Sequence, residues 1–562
     1  MKNQEIARIL YDIADCLEMQ GIDFKPNAYR RAAQQIERLS GDIEAYHKSG
    51  KLQDIPGVGE AISKKISEFL ETGRLKYYDE LKNEVTPGLA ALIDIPGLGP
   101  KKVKVLNQQL GIKDVDDLKK AAASHKIREL AGFGEKSEQD IIAGINIYSS
   151  GQERMLLGDA LPLAQKLESA LRPLASQLCI SGSIRRRKET IGDIDILVVA
   201  NTKIMDFFTT MPQVTRVLAK GGTKSSVLLG KLQVDLRLVR KESFGAAQQY
   251  FTGSKEHNIV LRELAIKKGL KLSEYGLFKG KKQIAGASEE GVYNKLGMQF
   301  IPPELRESSG EIDAALKNKL PMLVSSVKGD LQMHTRHSDG TATIAGMAAA
   351  AKALGYEYIC ISDHSKSERI ANGLSEEALI KEIGEIRQLE KKAGIRIFAG
   401  CEVDIKQDGS LDYDDKILKQ LDIVIAAVHS GFKSSREDMT RRICKALENE
   451  YVDFLAHPTG RLINRRPGYD VDLGKVFDAA LKNNVYLEIN ASPHRLDLSD
   501  VNARSAVEHK LKLMINTDAH SPDELLNMQY GIATARRAWC TNKDIVNTLP
   551  LKQLVKQFKR LR

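Results

Sequence analysis

The chain has 562 residues, 84 Lys and Arg against 74 Asp and Glu, and a formal net charge of +10. That length allows several separately cored domains, and the positive excess suits a polyanionic partner. The 6 cysteines (Cys16, Cys179, Cys360, Cys401, Cys444 and Cys540) form no C-x-x-C pair. No apolar run approaches the roughly 18 residues of a membrane span, so a disulfide framework and a membrane partner are both excluded and a cytoplasmic chain is expected.

The first 150 residues read as helical by periodicity, beginning with the amphipathic, acid-bearing MKNQEIARILYDIADCLEMQG, which is unlike a secretory leader. Two segments repeat, LQDIPGVGEAISKKI (52–66) and LIDIPGLGPKKVKVL (92–106), with a fainter copy in AGFGEKSEQDI (131–141). Glycines 57, 59, 97 and 99 would let the backbone approach a ligand, and the N–H groups that open the next helix form an anion site. One copy alone could be a packing turn. Two copies followed by Lys64, Lys65, Lys101 and Lys102 favour phosphate binding. The repeat resembles the helix-hairpin-helix, so Gly57, Gly59, Lys65, Gly97, Gly99 and Lys101 are the expected DNA contacts.

In SGSIRRRKETIGDIDILVV (181–199), Asp193 and Asp195 lead into an apolar, β-branched run that reads as a buried strand. Residues i and i+2 of a strand share a face, so the two carboxylates converge and require a cation between them. All-oxygen donors favour Mg²⁺ or Mn²⁺. Gly182 and Ser183 open a basic turn (Arg185, Arg186, Arg187, Lys188) suited to a triphosphate. An Asp-x-Asp pair also closes surface turns, but a Gly-Ser pair upstream favours the site. KLQVDLRL (231–238) alternates as a half-buried strand with Asp235 on its polar side, giving three carboxylates for in-line phosphoryl transfer.

These motifs, followed by QYFTGS (249–254), His257-Asn258 and Arg262, resemble the family X DNA polymerases of the polymerase beta type. The resemblance implies Asp193, Asp195 and Asp235 as catalytic metal ligands, with Asp235 nearest the primer 3′-hydroxyl. It implies Gly182, Ser183, Arg186 and Gly192 around the triphosphate. Tyr250, Phe251, Thr252 and Gly253 would form a sugar-sensing kink, with Asn258 and Arg262 near the nascent pair and the template. Gln233 and Lys255 depart from the vertebrate pattern, which has Arg and Asp there. NAYRR (27–31) and the first hairpin are similar to the family's lyase domain, whose Schiff-base lysine falls on Lys65. Ala61 replaces one of that domain's phosphate-binding lysines, which favours a plain DNA contact for Lys65.

From 327 onward strand-like runs alternate with helix patterns, as in a parallel barrel, and most of the runs end in a metal-capable residue. These are His334, Asp339, His364, Glu402, His429, His457, Asp518 and His520, which strand ends would gather at one rim. Mixed imidazole and carboxylate donors suit a cluster of Zn²⁺ or Mn²⁺, with Fe²⁺ also compatible, for phosphoester hydrolysis. The pattern resembles the polymerase and histidinol phosphatase (PHP) domain, a distorted seven-stranded βα barrel, except that Gln332 occupies the first position of its His-x-His motif. His337 is extra, and Arg461, Arg465 and Arg466 are candidates for backbone phosphate contacts.

The expected architecture is therefore multidomain. A helical lyase-like DNA-binding domain with a helix-hairpin-helix (1–85) and a second, thumb-like helix-hairpin-helix domain (86–150) precede an α/β nucleotidyltransferase palm (151–240). A fingers-like nucleotide-selection subdomain (241–315), a linker (316–326) and the PHP metallophosphoesterase barrel (327–562) follow. The whole resembles bacterial family X polymerases carrying a PHP domain. That implies a monomer acting on gapped or nicked DNA and dNTPs in base excision repair, with 3′–5′ exonuclease activity that could extend to abasic sites. Three alternatives are a nucleotidyltransferase acting on RNA or small molecules, a phosphoesterase whose polymerase part delivers DNA, and a non-catalytic DNA-end scaffold. The paired hairpins with YFTGS oppose the first and the intact carboxylate triad opposes the second, while the third would tolerate loss of all three carboxylates.

Overall fold

The computed structural model describes all residues except 1, 21, 23, 24, 38, 40–42, 85–88, 90, 91, 94, 96, 97, 136, 140, 143, 144, 146–153 and 562. The chain forms two compact units, residues 1–153 with 213–218 and 227–231, and the remainder.

The first unit is helical. Helices Lys2–Gln20, Lys25–Glu37, Glu60–Thr72 and Pro100–Leu110 turn Leu10, Ile13, Leu17, Ile36, Ile62, Ile66, Val103 and Leu106 into a shared core. Arg30 ties the second helix to the first by reaching Asp15 and Glu18, each at 2.5 Å.

After residue 153 the chain forms a sheet of β1 (Ala175–Ile180), β2 (Asp193–Ala200), β3 (Arg216–Lys220), β4 (Lys224–Leu229) and β5 (Leu232–Leu238), in the order β1-β2-β5-β4-β3. Ile194, Ile196, Leu197 and Val198 of β2 are buried, as their β-branched, apolar character requires. β2 and β5 run parallel with Asp195 directly beside Asp235. Helices Phe244–Thr252 and Lys255–Lys267 and a three-stranded antiparallel sheet follow.

Seven parallel strands then form in chain order: β6 (Gly329–Asp330), β7 (Tyr358–Ile361), β8 (Arg396–Asp404), β9 (Ile423–Ala427), β10 (Phe454–Leu455), β11 (Tyr486–Asn490) and β12 (Leu513–Asn516). A parallel bridge between Met333 and Ala519 joins the two edges, with Asp518 N–H donating to Gln332 O at 3.1 Å and His334 N–H to Ala519 O at 2.8 Å. One set of alternate strand positions (Cys360, Phe398, Ile425, Phe454, Met514) packs on Leu554 and Phe558 of the C-terminal segment. The other set (Val403, Val424, Leu487, Ile515) packs on helix residues such as Met439, Ile443 and Phe477. The interior is thus filled with side chains from one end, and the C-terminal strand ends are left to build a site.

The stretch expected as a linker is bound rather than free. Glu311–Leu316 is helical, Val324 N–H donates to Cys540 O at 2.9 Å, and Val324 is buried in the barrel's core. Within this unit the segments that precede β1 and β2 meet the barrel directly: Arg461 pairs with Glu189 at 2.7 Å, and the Asn464 amide donates to Arg154 O at 2.6 Å.

Candidate active sites

The turn preceding β2 places Gly182 against Asp195. Gly182 has φ of 67°, and a Cβ there would lie 3.2 Å from Asp195 Oδ2, so glycine is demanded by both backbone and space. Ser183 Oγ is buried without a hydrogen-bond partner. Burial, then the charges of Asp193 and Asp235, lifts the Asp195 carboxyl to about 7. Asp193, the most open of the three, is raised by partial desolvation and then by Asp235. Asp235 is buried, which by itself raises it, yet it is held below the usual range by bonds from Lys224, Ser226 and Gln233. Lys224 Nζ is 2.7 Å from its Oδ2, and the Gln233 amide donates to Oδ1 at 2.9 Å. The positive charge lost at Gln233 is therefore supplied by Lys224, one strand further along the sheet.

Arg186 does not project freely from the turn. Its Nη1 donates to Thr252 O and its Nε to Glu307 Oε1 at 3.1 Å, which links the basic turn to the kink. At that kink Gly253 has φ of 69°, and a Cβ there would approach Arg186 Nη1 to 3.0 Å. Tyr250 and Phe251 meet edge to face at 5.1 Å. Asn258 is committed to the same turn: its amide donates to Tyr250 O at 2.7 Å and its Oδ1 accepts from Gln249 at 2.7 Å. Arg262 reaches back to Asn258 O at 3.2 Å. Gly192 packs on Arg154, with a would-be Cβ 2.8 Å from Nη1.

At the barrel rim all eight expected donors come together. His334, Asp339, His364 and His520 form one group, His364, Glu402 and His429 a second, and His334, Glu402 and Asp518 a third. His457 Nε2 joins through Glu402 Oε1 at 2.8 Å. The His334 ring packs near-parallel to those of His364 (4.3 Å) and His520 (4.4 Å), whose own centroids lie 6.3 Å apart. His457 and Asp518 have φ of 28° and 55°, strained values for non-glycine residues of the kind found at functional positions. Burial, then the charge of His334, depresses His364 to about 4, which keeps its imidazole neutral and able to ligate. Burial would lower His429 as well, but Glu402 and Asp404 outweigh it and raise the ring to about 10. Glu402 is held well below the carboxylate range despite burial, chiefly by His364 and His429.

In the helical unit, Gly57 (φ 86°) and Gly132 (φ 85°) adopt the same left-handed turn, and Gly59 and Gly99 each cap a following helix without a side-chain bond. The third, fainter copy thus matches the first in its turn. Lys65 Nζ lies 4.6 Å from the Tyr77 ring centroid, Lys64 pairs with Glu60 at 2.7 Å, and Lys101 is exposed. Gly97 lies outside the described residues.

Comparison with known proteins gives four family matches: a helix-hairpin-helix domain over residues 1–75, a SAM-like helix-hairpin-helix tandem over 89–146, a DNA polymerase beta thumb over 247–307 and a PHP domain over 330–492. The DNA polymerase/3′-5′ exonuclease PolX of Bacillus subtilis (strain 168) is 37% identical over 571 residues, covering 100% of both chains. The chain belongs to the bacterial PolX family. DNA polymerase lambda of Rattus norvegicus is 26% identical over 54% of this chain and 56% of its own length. A protein named "Probable phosphatase" from Thermoanaerobacter sp. (strain X514) is 31% identical over 41% of this chain and 95% of its own. Like its family, the chain is a DNA polymerase and 3′–5′ exonuclease dependent on divalent metal.

Against this PolX background, several residues stand at the sites without having been singled out from sequence. Asp404 Oδ1 lies 2.6 Å from His429 Nδ1 and so fixes the orientation of that ring. Glu368, Asp404 and His429 form a further donor group. Arg154 lowers Asp193, and Arg237 spans from the Phe251 ring (4.4 Å) to Asp195 Oδ1 (3.9 Å). None of these lies in a spaced motif. Asp404 alone carried a signal, since it is two residues from Glu402 on one strand and must share its face. Gln332 donates to Glu402 Oε2 at 3.1 Å, while its own buried Oε1 is unpartnered. His337 pairs with Glu385 at 3.2 Å and stands in none of the donor groups. Arg461 is occupied by Glu189 and by the carbonyls of Arg495 and Leu496, Arg466 lies over the Phe432 ring at 3.8 Å, and Arg465 is exposed.

Both donor sets fit metal ions. The rim retains buried Nδ1 atoms on His334, His364 and His457 that have no hydrogen-bond partner. Burial, and after it the charges of Asp193 and Asp235, holds the Asp195 carboxyl up at about 7 from an ordinary 3.8, a penalty on the anion that a bound cation would relieve.

Proposed function

We propose that the chain fills short gaps in DNA at the palm and removes 3′-terminal nucleotides at the barrel rim, as a monomer engaging gapped or nicked DNA and dNTPs. The observation that carries the polymerase reading is the side-by-side register of Asp195 and Asp235 on parallel strands, with Asp193 two residues away and the Gly182 turn packed on Asp195. Asp193, Asp195 and Asp235 would hold Mg²⁺ or Mn²⁺, which neutralise the charge developing on the phosphoryl oxygens. Gly182, Ser183, Arg186 and Gly192 would line the triphosphate, with the unpartnered Ser183 Oγ as a donor and Arg154 packed on Gly192. Tyr250, Phe251 and Gly253 form the wall against the sugar, Asn258 braces that wall through the Tyr250 carbonyl, and Arg262 in turn reaches the Asn258 carbonyl.

At the rim, His334, Asp339, His364, Glu402, His429, His457, Asp518 and His520 would hold Zn²⁺ or Mn²⁺ ions, which supply a water nucleophile activated at neutral pH. Asp404 orients His429 for this. Gln332 stands where the family pattern has an imidazole and turns its amide N–H toward Glu402 Oε2, so one ion at the rim would be held more weakly or with water in that place. The glycine turns and Lys65 and Lys101 grip DNA phosphates without reading sequence.

The test is a labelled primer on one-nucleotide-gapped DNA with Mn²⁺, with and without dNTPs, for wild type, Asp193→Ala and His429→Ala. Asp193→Ala is expected to abolish extension and spare shortening, and His429→Ala to do the reverse. Loss of both activities from either substitution would refute two separate sites.

A further inference from the structure

Arg537 closes the barrel helix Met528–Arg537, and its side chain is 5% exposed. Nε and Nη2 hold Asp500 Oδ2 at 2.8 and 2.6 Å. Nη1 donates to the backbone carbonyl of Arg186 at 2.8 Å and to Glu307 Oε1 at 3.1 Å. That same Glu307 oxygen accepts from Arg186 Nε at 3.1 Å. One side chain of the barrel therefore grips both the backbone and, through Glu307, the guanidinium of a residue in the basic turn of the palm.

The turn needs such a grip. Arg187 sits at φ 56°, a conformation a non-glycine residue keeps only where its surroundings over-determine it. Local backbone bonds, Arg187 N–H to Ile184 O at 3.1 Å and Lys188 N–H to Ser183 O at 3.0 Å, close the turn from within. Arg537 braces it from outside. The neighbouring Arg536 reaches Glu304 Oε1, three residues before Glu307, at 2.8 Å and Val324 O at 3.1 Å. Only a planar fork can satisfy a carboxylate on one edge and a carbonyl with a second carboxylate on the other; an ammonium is a point charge on a flexible stem.

We propose that Arg537 is a positioning residue for nucleotide binding: it sets the 182–188 turn and the Arg186 side chain for the triphosphate, so that the barrel scaffold governs the palm's affinity for dNTPs. This rests on the assignment of the triphosphate to that turn. Arg537 touches neither nucleotide nor metal, and its effect belongs in binding rather than in the chemical step.

The experiment uses the full chain on one-nucleotide-gapped DNA, measuring KM and kcat for the complementary dNTP, and on the same preparations the metal-dependent release of a 3′ nucleotide. Arg537→Lys, Glu307→Gln, their double variant and Arg186→Lys are compared. Arg537→Lys is expected to raise KM about tenfold with kcat within about twofold and hydrolysis unchanged. Glu307→Gln, which leaves the barrel intact, should raise KM as well, and the double variant should be no worse than the larger single effect because all three groups share one network. An unchanged KM in both Arg537→Lys and Glu307→Gln, or equal loss of synthesis and hydrolysis in Arg537→Lys, overturns the proposal. If Arg186→Lys raises KM while the other two do not, the positioning role fails and the triphosphate assignment stands. If Arg186→Lys leaves KM unchanged, the assignment itself is wrong.

Discussion

Asp195 makes metal binding at the palm a proton-coupled event. Its carboxyl titrates at about 7 because burial and the charges of Asp193 and Asp235 all disfavour the anion. The folded value lies above the ordinary 3.8, so the folded chain holds a proton that the unfolded chain releases as pH rises from 3.8. Fold stability from this group is therefore full at low pH and declines up to about 7. An incoming cation must displace that proton. At about pH 8 roughly nine-tenths of the carboxyl is ionised, and at about pH 6 roughly one-tenth, so affinity should fall about tenfold, or about 1.4 kcal/mol, between them. The assay is Mn²⁺ binding followed by electron paramagnetic resonance of the free ion, without nucleotide so that phosphate protonation does not enter. Subtracting the curve of Asp195→Asn cancels the ions held at the rim. Binding at about pH 6 should release about one proton per ion, and at about pH 8 almost none. A difference curve with the same midpoint at both pH values would refute the reasoning, since it would mean that the three carboxylates are already ionised together.

Two further outcomes follow from single contacts. Asp404→Asn removes the acceptor 2.6 Å from His429 Nδ1 and should cut 3′-nucleotide release about 10- to 100-fold while leaving gap filling intact, as measured on the same primer-template. Gly182→Ala places a methyl 3.2 Å from Asp195 Oδ2 at φ 67°, costing about 1–2 kcal/mol in the backbone alone. Gap filling should fall more than tenfold, with hydrolysis at the rim unchanged; wild-type synthesis from this variant would remove the reason for glycine.

What could be read from the sequence tracks how local each constraint is. The β-branched, apolar run along 194–199 and the period of two along 231–238 gave both strands, because such patterns act within a few residues. The eight rim donors were legible because a parallel barrel brings strand ends to one rim whatever lies between them in sequence. Period alone could not tell which polar face is wet. Asp235 was assigned to the polar side of its strand and is in fact buried, since that face is covered by Lys224, Gln233 and Arg237 rather than by water.

The same limit explains Arg186 and the stretch expected as a linker. A run of arginines after Gly-Ser advertises phosphate, but the acceptors that fix Arg186 come from Thr252 and Glu307, 66 and 121 residues away. Those pairings depend on how the kink folds back on the turn, and the brace on Glu307 depends on a helix that ends at Arg537. Polar composition between 308 and 326 suggested a tether, yet Val324 and Val327 complete the barrel core and Arg536 holds the Val324 carbonyl. A segment bound this firmly cannot let the two catalytic halves move as independent beads. The palm and the barrel are better understood as one framework, in which a side chain of the hydrolytic half can set the geometry of the synthetic one.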